Sequence, residues 1–283
     1  MARDSKGVLY VVATPIGNLE DITLRALKVL RQVQLVAAED TRRSATLLRH
    51  YLIETPVVSV HGHNERKRIS LVTGRLSKGE SVALVTDAGT PGISDPGATL
   101  VAAVRDAGFV VEPIPGPSAV AAAISVAGET TQGFTFLGFP PVRSKDRTQW
   151  FEELQGASRS RLVVFFEAPH RIAKTLRELD FYVKQPILVG REITKLHEEF
   201  IRGNPGDLSE RFSQPHGEFT VIVPASNSQE IESVAPSDAE VVAVFGQITQ
   251  KSHFSSKRDV AREVGERLKM TAKQVYAVME RNK

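Results

Sequence analysis

Residues 82–97 form the sequence VALVTDAGTPGISDPG, a short apolar run followed directly by a turn rich in glycine and proline. Val82 to Val85 show no polar alternation, which is typical of a central parallel strand buried on both faces. The chain turns at Thr86 and Asp87. Ligands of α/β proteins bind at the loops that follow such strands. The segment therefore predicts a parallel sheet with a ligand site beside its central strand.

Strand-like and helical segments alternate in the first part of the chain. Apolar runs at 8–14, 35–38 and 57–60 alternate with helical patterns at 24–33, 44–52 and 69–76. This alternation predicts an α/β fold class.

A second block begins near the Pro/Gly-rich residues 113–117. Its strand-like runs are 134–137, 162–166, 187–189, 199–201 and 219–223. Because these runs outnumber the helical patterns, we expect a mixed sheet. The predicted organisation is an α/β domain at 1–115, a second α/β domain at 116–224, a Ser/Pro/Asn/Gln-rich linker at 225–237 and a small basic helical domain at 238–283.

The composition of the 283-residue chain excludes several classes of protein. It has no cysteine, so disulfide frameworks, thiolate zinc sites, iron–sulfur clusters and cysteine nucleophiles are excluded, and a reducing, cytoplasmic location is expected. No apolar run approaches the roughly 18 residues that span a bilayer, so we expect no membrane insertion. The net charge of +3 does not by itself indicate nucleic-acid binding.

The last segment carries a local positive charge. Between residues 251 and 283 nine Lys and Arg stand against four acids, and apolar residues at helical spacing predict three short amphipathic helices. The last two resemble a helix-turn-helix, with Thr271 as an N-cap. One interpretation is a grip on an RNA backbone, and the alternative is a solvated bundle that only stabilises the fold or a dimer. The candidate RNA-binding residues here are Lys257, Arg258, Arg262, Lys269 and Lys273.

Three loops rich in Gly and Pro follow predicted strands, at residues 13–19, 86–97 and 113–119. None contains G-x-x-x-x-G-K-[ST] or G-x-G-x-x-G, so phosphate binding is not indicated. An adenosyl ligand without phosphates, such as S-adenosylmethionine, would suit their backbone amides and apolar walls. The alternative is that each loop is only a tight turn. Ser118 and Asp95 are expected to be helix N-caps or first-turn residues.

Five motifs together resemble one known family. They are LYVVATPIGNLEDITLRAL, AAEDTR, VALVTDAGTPGISDPG, PIPGPSA and FFEAPHRI. These motifs closely resemble the tetrapyrrole methylase superfamily and, within it, the bacterial small-subunit ribosomal RNA cytidine 2′-O-methyltransferases, over residues 8–224. The resemblance implies two α/β domains with S-adenosylmethionine in the cleft between them, a homodimer, and a 2′-O-methylated cytidine in the decoding centre of 16S ribosomal RNA on the small ribosomal subunit.

The same resemblance implies positions for the cofactor contacts. By their place in the shared motifs, the expected cofactor-binding residues are Pro15, Asp87, Ala88, Gly89, Ile93, Ser118, Ala119 and Pro224. The precorrin-type methylases begin with a G-x-G-x-G loop, whereas this chain has ATPIGN, which makes a porphyrin-like substrate less favoured.

Transfer of a methyl group to a ribose hydroxyl requires a group that accepts the hydroxyl proton. The candidate catalytic residues are Asp40, Glu167 and His170, all at predicted strand or loop ends. Arg42 and Arg43 follow Asp40 and are candidates to hold an RNA phosphate. The alternative for residues 39–43 is a helix N-terminus with acidic residues that complement the helix dipole.

The segment His61-Gly62-His63-Asn64-Glu65 is interpreted as a polar loop that opens a helix rather than as a metal site. No metal is expected. Two rival functions remain: methylation of a tetrapyrrole or another small molecule with the same cofactor, and a non-catalytic RNA-binding or assembly protein that keeps the fold.

Overall fold

The computed structural model describes residues 6–62, 64–129, 133–213, 216–226, 238–251, 257–268 and 272–282. The chain divides into two compact units, Met1–Ala225 and Ser226–Lys283. The first unit holds two sheets and the second holds helices.

The first sheet of the described chain is parallel throughout. Its strands are β1 (Val8–Val12), β2 (Leu35–Ala38), β3 (Val57–Ser59), β4 (Val82–Val85) and β5 (Val110–Ile114), in the order β3-β2-β4-β1-β5. β4 is the central strand and all four of its residues are buried, which confirms the prediction from its continuous apolar run.

Helices cover both faces of this sheet. They are α1 (Leu24–Gln32), α2 (Thr41–His50), α3 (Glu65–Ser77) and α4 (Ala98–Asp106). One core cluster joins α1 and α2 to the sheet and another joins α3 and α4 to its opposite face. Two of the helices begin at residues with good capping side chains, because Thr23 accepts a hydrogen bond from the Ala26 amide and Asp40 from the Arg42 amide. The predicted α/β alternation is confirmed.

The second sheet is mixed, as predicted. Its described strands are β6 (Phe134–Phe136), β7 (Leu162–Glu167), β8 (Ile187–Arg191), β9 (Glu199–Gly203) and β10 (Phe219–Val223), in the order β6-β7-β10-β8-β9. β6 and β7 are parallel, whereas β10 runs antiparallel to both β7 and β8. One face packs on α6 (Ser144–Ser158), α7 (Pro169–Tyr182) and α8 (Pro205–Arg211) through a core that includes Trp150, Phe165 and Phe219.

The opposite face of the second sheet is covered by α5 (Ala119–Val126), the helix that follows β5 of the first sheet. Buried Val120 and Ala123 of α5 share a core cluster with Leu162 and Ile222 of the second sheet. This helix therefore ties the two sheets together within one compact unit.

The two predicted helix caps have different outcomes. Ser118 is the N-cap of α5, and its side chain accepts from the Ala121 amide, as predicted. The prediction for Asp95 was wrong, because α4 begins after Gly97, whose φ of 129° favours glycine. The buried carboxylate of Glu65 accepts from the Leu100 amide at 2.7 Å, so another helix supplies the oxygen that a capping side chain would give.

The second unit contains, in its described residues, the helices α9 (Asp238–Lys251), α10 (Lys257–Leu268) and α11 (Ala272–Arg281). They confirm the three predicted amphipathic helices, and their buried core includes Val241, Val264 and Val275. Thr271 lies outside the described residues. No helix that the structure describes is long and apolar enough to cross a membrane.

Candidate functional site

The first two predicted loops are joined directly to each other. The Thr14 amide donates to the Gly89 carbonyl at 2.8 Å, and the Gly89 amide donates back to the Thr14 carbonyl at 3.0 Å. The Thr14 hydroxyl also donates to the Thr86 carbonyl at 3.1 Å. Gly89 has a φ of 80°, which a side chain would disfavour. The loops after β1 and β4 therefore form one rigid edge of the first sheet.

A cavity of about 330 Å³ opens beside this edge. The first sheet and α5 contribute Ile16, Ala88, Gly89, Thr90, Ile93, Ser94, Asp95, Ser118, Ala119 and Val120. The second sheet and its loops contribute Phe139, Phe166, Glu167, Ala168, Pro169, Ile193, Glu218, Phe219 and Thr220. The volume and the mainly apolar lining, with a few polar groups, are those of a small-molecule site.

The charged residues that line the cavity are acids, and two of them have cationic partners. Asp95, Glu167 and Glu218 are among the described lining residues, whereas no Lys or Arg is. Arg171 pairs with Glu167 and Lys195 with Glu218. Of these three acids, Asp95 is the one outside such an ion pair in the described chain, and its carboxylate favours a cationic ligand over a phosphate group.

Asp95 is the half-buried acid of this lining. Its pKa is raised to about 6, mainly by burial and also by the nearby carboxylates of Glu39, Asp87 and Glu218, whereas a hydrogen bond from Thr86 opposes the shift. The sequence analysis predicts Asp95 only as a helix cap or first-turn residue. Its position in the loop that follows the central strand was the available signal for a functional role.

Glu167 is buried, with 1% of its surface exposed, and its carboxylate has several partners. It accepts from the Ala168 amide at 2.8 Å and from the Thr175 hydroxyl, and it forms an ion pair with Nε of Arg171 at 3.2 Å. Thr175 in turn accepts from buried Arg147 at 2.7 Å. The predicted catalytic residue Glu167 therefore lies in the cavity wall within a satisfied polar network.

The same network fixes the loop that carries Phe139. Arg171 donates to the Pro140 carbonyl, and Arg147 donates to the Pro141 carbonyl at 3.2 Å. The Phe139 ring lies 5.6 Å from that of Phe166, centroid to centroid, and is half exposed. These contacts hold an aromatic ring in the wall of the cavity.

Asp40, the second candidate catalytic residue, caps α2 next to this edge. The Arg42 guanidinium donates to both of its carboxylate oxygens, at 3.1 and 2.7 Å, and this hydrogen bonding lowers the pKa of Asp40 to about 2. The Asp40 amide donates to Oδ1 of Asp87 at 3.0 Å. Arg43 lies 3.6 Å from Oδ2 of Asp87. Burial is the main cause of the raised pKa of Asp87.

The other predicted site residues fall at different distances from the cavity. Five predicted cofactor residues line it, namely Ala88, Gly89, Ile93, Ser118 and Ala119. Pro15 is buried next to the lining residue Ile16. His170 is exposed in the first turn of α7 and is not part of the lining.

Pro224 needs a correction. It follows the last residue of β10, whereas the cavity is lined by Phe219 and Thr220 at the beginning of that strand. β10 runs antiparallel to β7, so Phe219 lies opposite Glu167 and Val223 opposite Val163. At about 3.3 Å per residue, Pro224 is separated from the lining by most of the strand length. The structure therefore does not place Pro224 at the cavity.

The candidate RNA-binding residues are distributed over both compact units. The side chains of Arg42 and Arg43 are 89% and 66% exposed. In the second unit Arg262 is exposed on α10. Lys257 and Arg258 fall within α10 and Lys273 within α11, whereas Lys269 lies outside the described residues.

The histidine-containing segment forms a closed turn ahead of α3. The His61 amide donates to Oδ1 of Asn64 at 2.9 Å, and Nδ2 of Asn64 donates to the Ser59 carbonyl at 3.2 Å. His63 lies outside the described residues. Within the part of the chain that is described, no group of three or more His, Asp or Glu residues is arranged to hold a metal ion.

Comparisons with known proteins agree with this architecture. Residues 8–209 match the family described as Tetrapyrrole (Corrin/Porphyrin) Methylases. The ribosomal RNA small subunit methyltransferase I of Synechocystis sp. is 39% identical over 276 residues, which is 95% of this chain and 96% of that protein. The protein of the same name from Thermotoga maritima is 45% identical over 77% of this chain and 98% of its own length.

Solved structures show the same fold at low sequence identity. A cobalt precorrin-4 methyltransferase has a TM-score of 0.60 and 20% identity, covering 78% of this chain and 97% of its own. A uroporphyrin-III C-methyltransferase from Thermus thermophilus, in complex with S-adenosyl homocysteine, has a TM-score of 0.56 and 18% identity, covering 76% of this chain and 97% of its own. The predicted fold class is confirmed.

Proposed function

The chain belongs to the tetrapyrrole methylase family and, within it, to the ribosomal RNA small subunit methyltransferase I proteins, and from that premise we propose that it methylates the 2′-hydroxyl of a cytidine in 16S ribosomal RNA with S-adenosylmethionine as donor. The observation that carries the proposal is the shared cavity. It combines the rigid loop edge of the first sheet with a mainly apolar lining that includes Asp95.

The residues of the cavity fit this donor. S-adenosylmethionine carries an activated methyl on a positively charged sulfur and has no phosphate groups. Asp95 supplies a lining residue of the opposite charge, and no Lys or Arg is among the described lining residues. A phosphate-bearing cofactor would find no cationic side chain among them.

We call the first sheet with α1 to α5 the first lobe, and the second sheet with α6 to α8 the second lobe. Five residues of the first lobe would bind the donor. Ala88, Gly89 and Ile93 follow the central strand, and Ser118 and Ala119 begin α5. Pro15 and Asp87 would act from behind this lining, because Pro15 fixes the first loop and Asp87 holds the Asp40 amide. This assignment is supported by the position of these residues around one cavity.

The second lobe closes the cavity with mainly apolar residues. Phe166 and Phe219 lie at the ends of β7 and β10 that face the first sheet's loops, and Phe139 completes the wall. Phe166 packs in the cluster with α5, whereas the Phe219 side chain packs in the core on the opposite face of the sheet. An apolar wall excludes water and leaves donor and acceptor in contact with fixed protein groups. Alignment of donor and acceptor is the main contribution an enzyme makes to an in-line methyl transfer.

Exposed cations support an RNA acceptor. Arg42 and Arg43 lie beside the Asp40 and Asp87 contacts, at the same sheet edge as the cavity loops. Arginine in such a position binds backbone phosphates and orients the RNA. The basic helices of the second unit are proposed to add further phosphate contacts, with exposed Arg262 as one member.

The proposal extends to the partner and the location of the reaction. The names of the relatives support ribosomal RNA of the small subunit as the acceptor. We place the reaction in the cytoplasm with the small ribosomal subunit as partner, and we propose a homodimer as the working form. The dimer rests only on the family resemblance.

The direct test is transfer of labelled methyl from S-adenosylmethionine to 16S ribosomal RNA and to small subunits from cells that lack this protein, followed by nucleoside analysis. Label in 2′-O-methylcytidine is the expected result. Label in another nucleoside or in a tetrapyrrole, or binding of RNA without any transfer, would contradict the proposal.

A further inference from the structure

We infer that Asp95 is the group that accepts the proton of the acceptor hydroxyl. This inference rests on the proposed function and assigns the proton acceptor to a residue other than the three candidates from the sequence, Asp40, Glu167 and His170. It is based on which carboxyl groups face the cavity and which of these have strong cationic partners.

The other ionisable groups of the lining are committed elsewhere. The Glu167 carboxylate accepts from the Thr175 hydroxyl and the Ala168 amide and forms an ion pair with Arg171. Glu218 is 70% exposed at its side chain and pairs with Lys195 at 3.0 Å. Of the described acids that line the cavity, Asp95 remains as the half-buried one outside an ion pair with Lys or Arg.

The candidates outside the lining are poorer bases. Asp40 caps α2, and Nε and Nη2 of Arg42 each donate to one of its carboxylate oxygens. These hydrogen bonds keep the pKa of Asp40 at about 2. Such a weak base gives little driving force for proton transfer from a hydroxyl. His170 is exposed on α7 and is not among the lining residues, although its neighbour Pro169 is.

The backbone around Asp95 has an unusual geometry. Ser94 has a φ of 64°, and Gly97 has a φ of 129°. A non-glycine residue in the left-handed region is strained, and such strain concentrates at functional sites. A Cβ on Gly138, the residue before Phe139, would lie 3.5 Å from Oγ of Ser94. The turn therefore holds Asp95 where the loops of both sheets approach each other.

The pKa of Asp95 depends on burial and on the charged groups that face its carboxylate. Glu39, Asp87 and Glu218 face it and raise its pKa, and Thr86 lowers it by hydrogen bonding. Arg43 and Lys195 lie behind Asp87 and Glu218 and partly neutralise them. Burial is the largest cause, so the carboxylate titrates at about pH 6. A base with a pKa near the working pH is efficient in general base catalysis.

In the inferred step, the methyl group moves from the donor sulfur to the 2′-oxygen and one proton moves to Asp95. The 2′-oxygen of the acceptor forms a bond to the methyl carbon, and the bond from that carbon to the donor sulfur breaks with its electron pair going to sulfur. The proton of the 2′-hydroxyl moves to the Asp95 carboxylate. Asp95 then returns the proton to solvent through the open side of the cavity.

The test uses the full chain with Asp95→Asn, which keeps the shape and removes the base. Single-turnover transfer to 16S ribosomal RNA is measured between pH 5 and 8.5, with the affinity for S-adenosyl homocysteine measured by calorimetry. Asp106→Asn, at the exposed end of α4, is the matched control for loss of one aspartate. Asp95→Glu retains a carboxylate and is the second variant.

We expect the wild-type rate to rise about tenfold per pH unit below about pH 6 and then level off. Asp95→Asn is expected to be about 10²- to 10⁴-fold slower above pH 7 and to lose this slope, with product affinity within about threefold of wild type. Asp95→Glu should keep the slope with an intermediate rate. Asp106→Asn should match the wild type.

Three results would overturn the inference. The first is an Asp95→Asn rate near wild type, and the second is an unchanged pH slope in that variant. The third is a loss of more than about tenfold in product affinity that accounts for the rate, since Asp95 would then be a cofactor ligand. Failure of the wild type to form 2′-O-methylcytidine would instead contradict the proposed function, so the two failures are distinguishable.

Discussion

The two sheets build the cavity in different ways. The first sheet contributes the loops that follow its strands. Because all its described strands are parallel, these loops lie at one edge of the sheet. The second sheet contributes residues of the strands themselves, from both strand directions: Phe166 and Glu167 from the end of β7, and Phe219 and Thr220 from the start of β10. The site of a parallel sheet can therefore be predicted from the order of its strands in the sequence. For a mixed sheet the strand pairing must be known first.

Removal of buried Arg147 is expected to destabilise the second lobe most. Arg147 donates to Glu178 at 2.5 Å, to Thr175 and to the Pro141 carbonyl. Arg147→Ala leaves buried Thr175 without this donor and partly buried Glu178 without its cationic partner, and we expect a loss of about 3 kcal/mol in the free energy of unfolding. Denaturant titration measures it.

The matched control lies in the first lobe. Arg75 and Glu80 form an ion pair at 2.9 Å, but both side chains are more than one-third exposed. Arg75→Ala should therefore cost no more than about 1 kcal/mol. Equal losses for the two variants would show that the Arg147 network is not a distinct support of the second lobe.

A second prediction concerns the place where the first loop meets the second lobe. A Cβ on Gly17 would lie 2.5 Å from Cγ of Lys195, 2.7 Å from Oγ1 of Thr194 and 3.0 Å from the Ile193 carbonyl. Gly17→Ala should therefore cost about 1–3 kcal/mol by overpacking, and it should weaken binding of S-adenosyl homocysteine because Ile193 lines the cavity.

Gly156→Ala is the control for this prediction. Gly156 lies in α6 with nothing within 4 Å of an added Cβ, so alanine should stabilise the helix by up to about 1 kcal/mol. The measurements are thermal unfolding and calorimetry. Unchanged stability and affinity in Gly17→Ala would contradict the close contact between the first loop and the second lobe.

A third prediction tests the support behind the lining of the first lobe. Asp87 accepts the Asp40 amide at 3.0 Å and begins the turn that leads to Ala88 and Gly89. Asp87→Ala should weaken binding of S-adenosyl homocysteine about tenfold, the value of one hydrogen bond to a charged group, without unfolding the protein. Asp106→Ala should bind as the wild type does. Equal affinities for both variants would remove Asp87 from the site.

The smallest expected effect is on stability as a function of pH. Because the folded pKa of Asp95 is raised to about 6, the folded state binds its proton more tightly than the unfolded state, so this group costs stability as pH rises from about 4 to 6. Asp95→Asn removes that cost. Because Asp95 is partly exposed, we take this cost in the free energy of unfolding as about 1 kcal/mol. The variant should then melt about 2–4 °C higher than the wild type at pH 8 and no higher at pH 4.

Thermal unfolding of wild type and variant at the two pH values measures this effect. A lower melting temperature for Asp95→Asn at pH 8 would show that the ionised carboxylate stabilises the fold, which contradicts the assigned pKa.

The first lobe was largely predictable from local sequence. The apolar run of β4 specified a strand buried on both faces, and the Gly/Pro loops after β1, β4 and β5 specified the edge where the cavity lies. Ser118 was identified as a cap for the same reason, since capping depends on residues within one turn.

Other predictions depend on contacts between residues that are distant in the sequence. The motif resemblance places Pro224 at the site, but β10 is antiparallel to β7, so its other end lines the cavity. The local sequence predicts Asp95 as an N-cap or first-turn residue, because no local feature shows that Glu65 of α3 accepts from the Leu100 amide of α4. Its raised pKa comes from burial and from Glu39, Asp87 and Glu218, which only the folded chain brings together.

The cavity between the two lobes is proposed to bind the methyl donor. Ala119 lines that cavity and is partly buried, whereas Ala102 is exposed on α4. Calorimetric titration with S-adenosyl homocysteine should show binding to the wild type and to Ala102→Phe, and no measurable binding to Ala119→Phe, whose ring would fill the cavity. Wild-type affinity in a folded Ala119→Phe variant would contradict the claim.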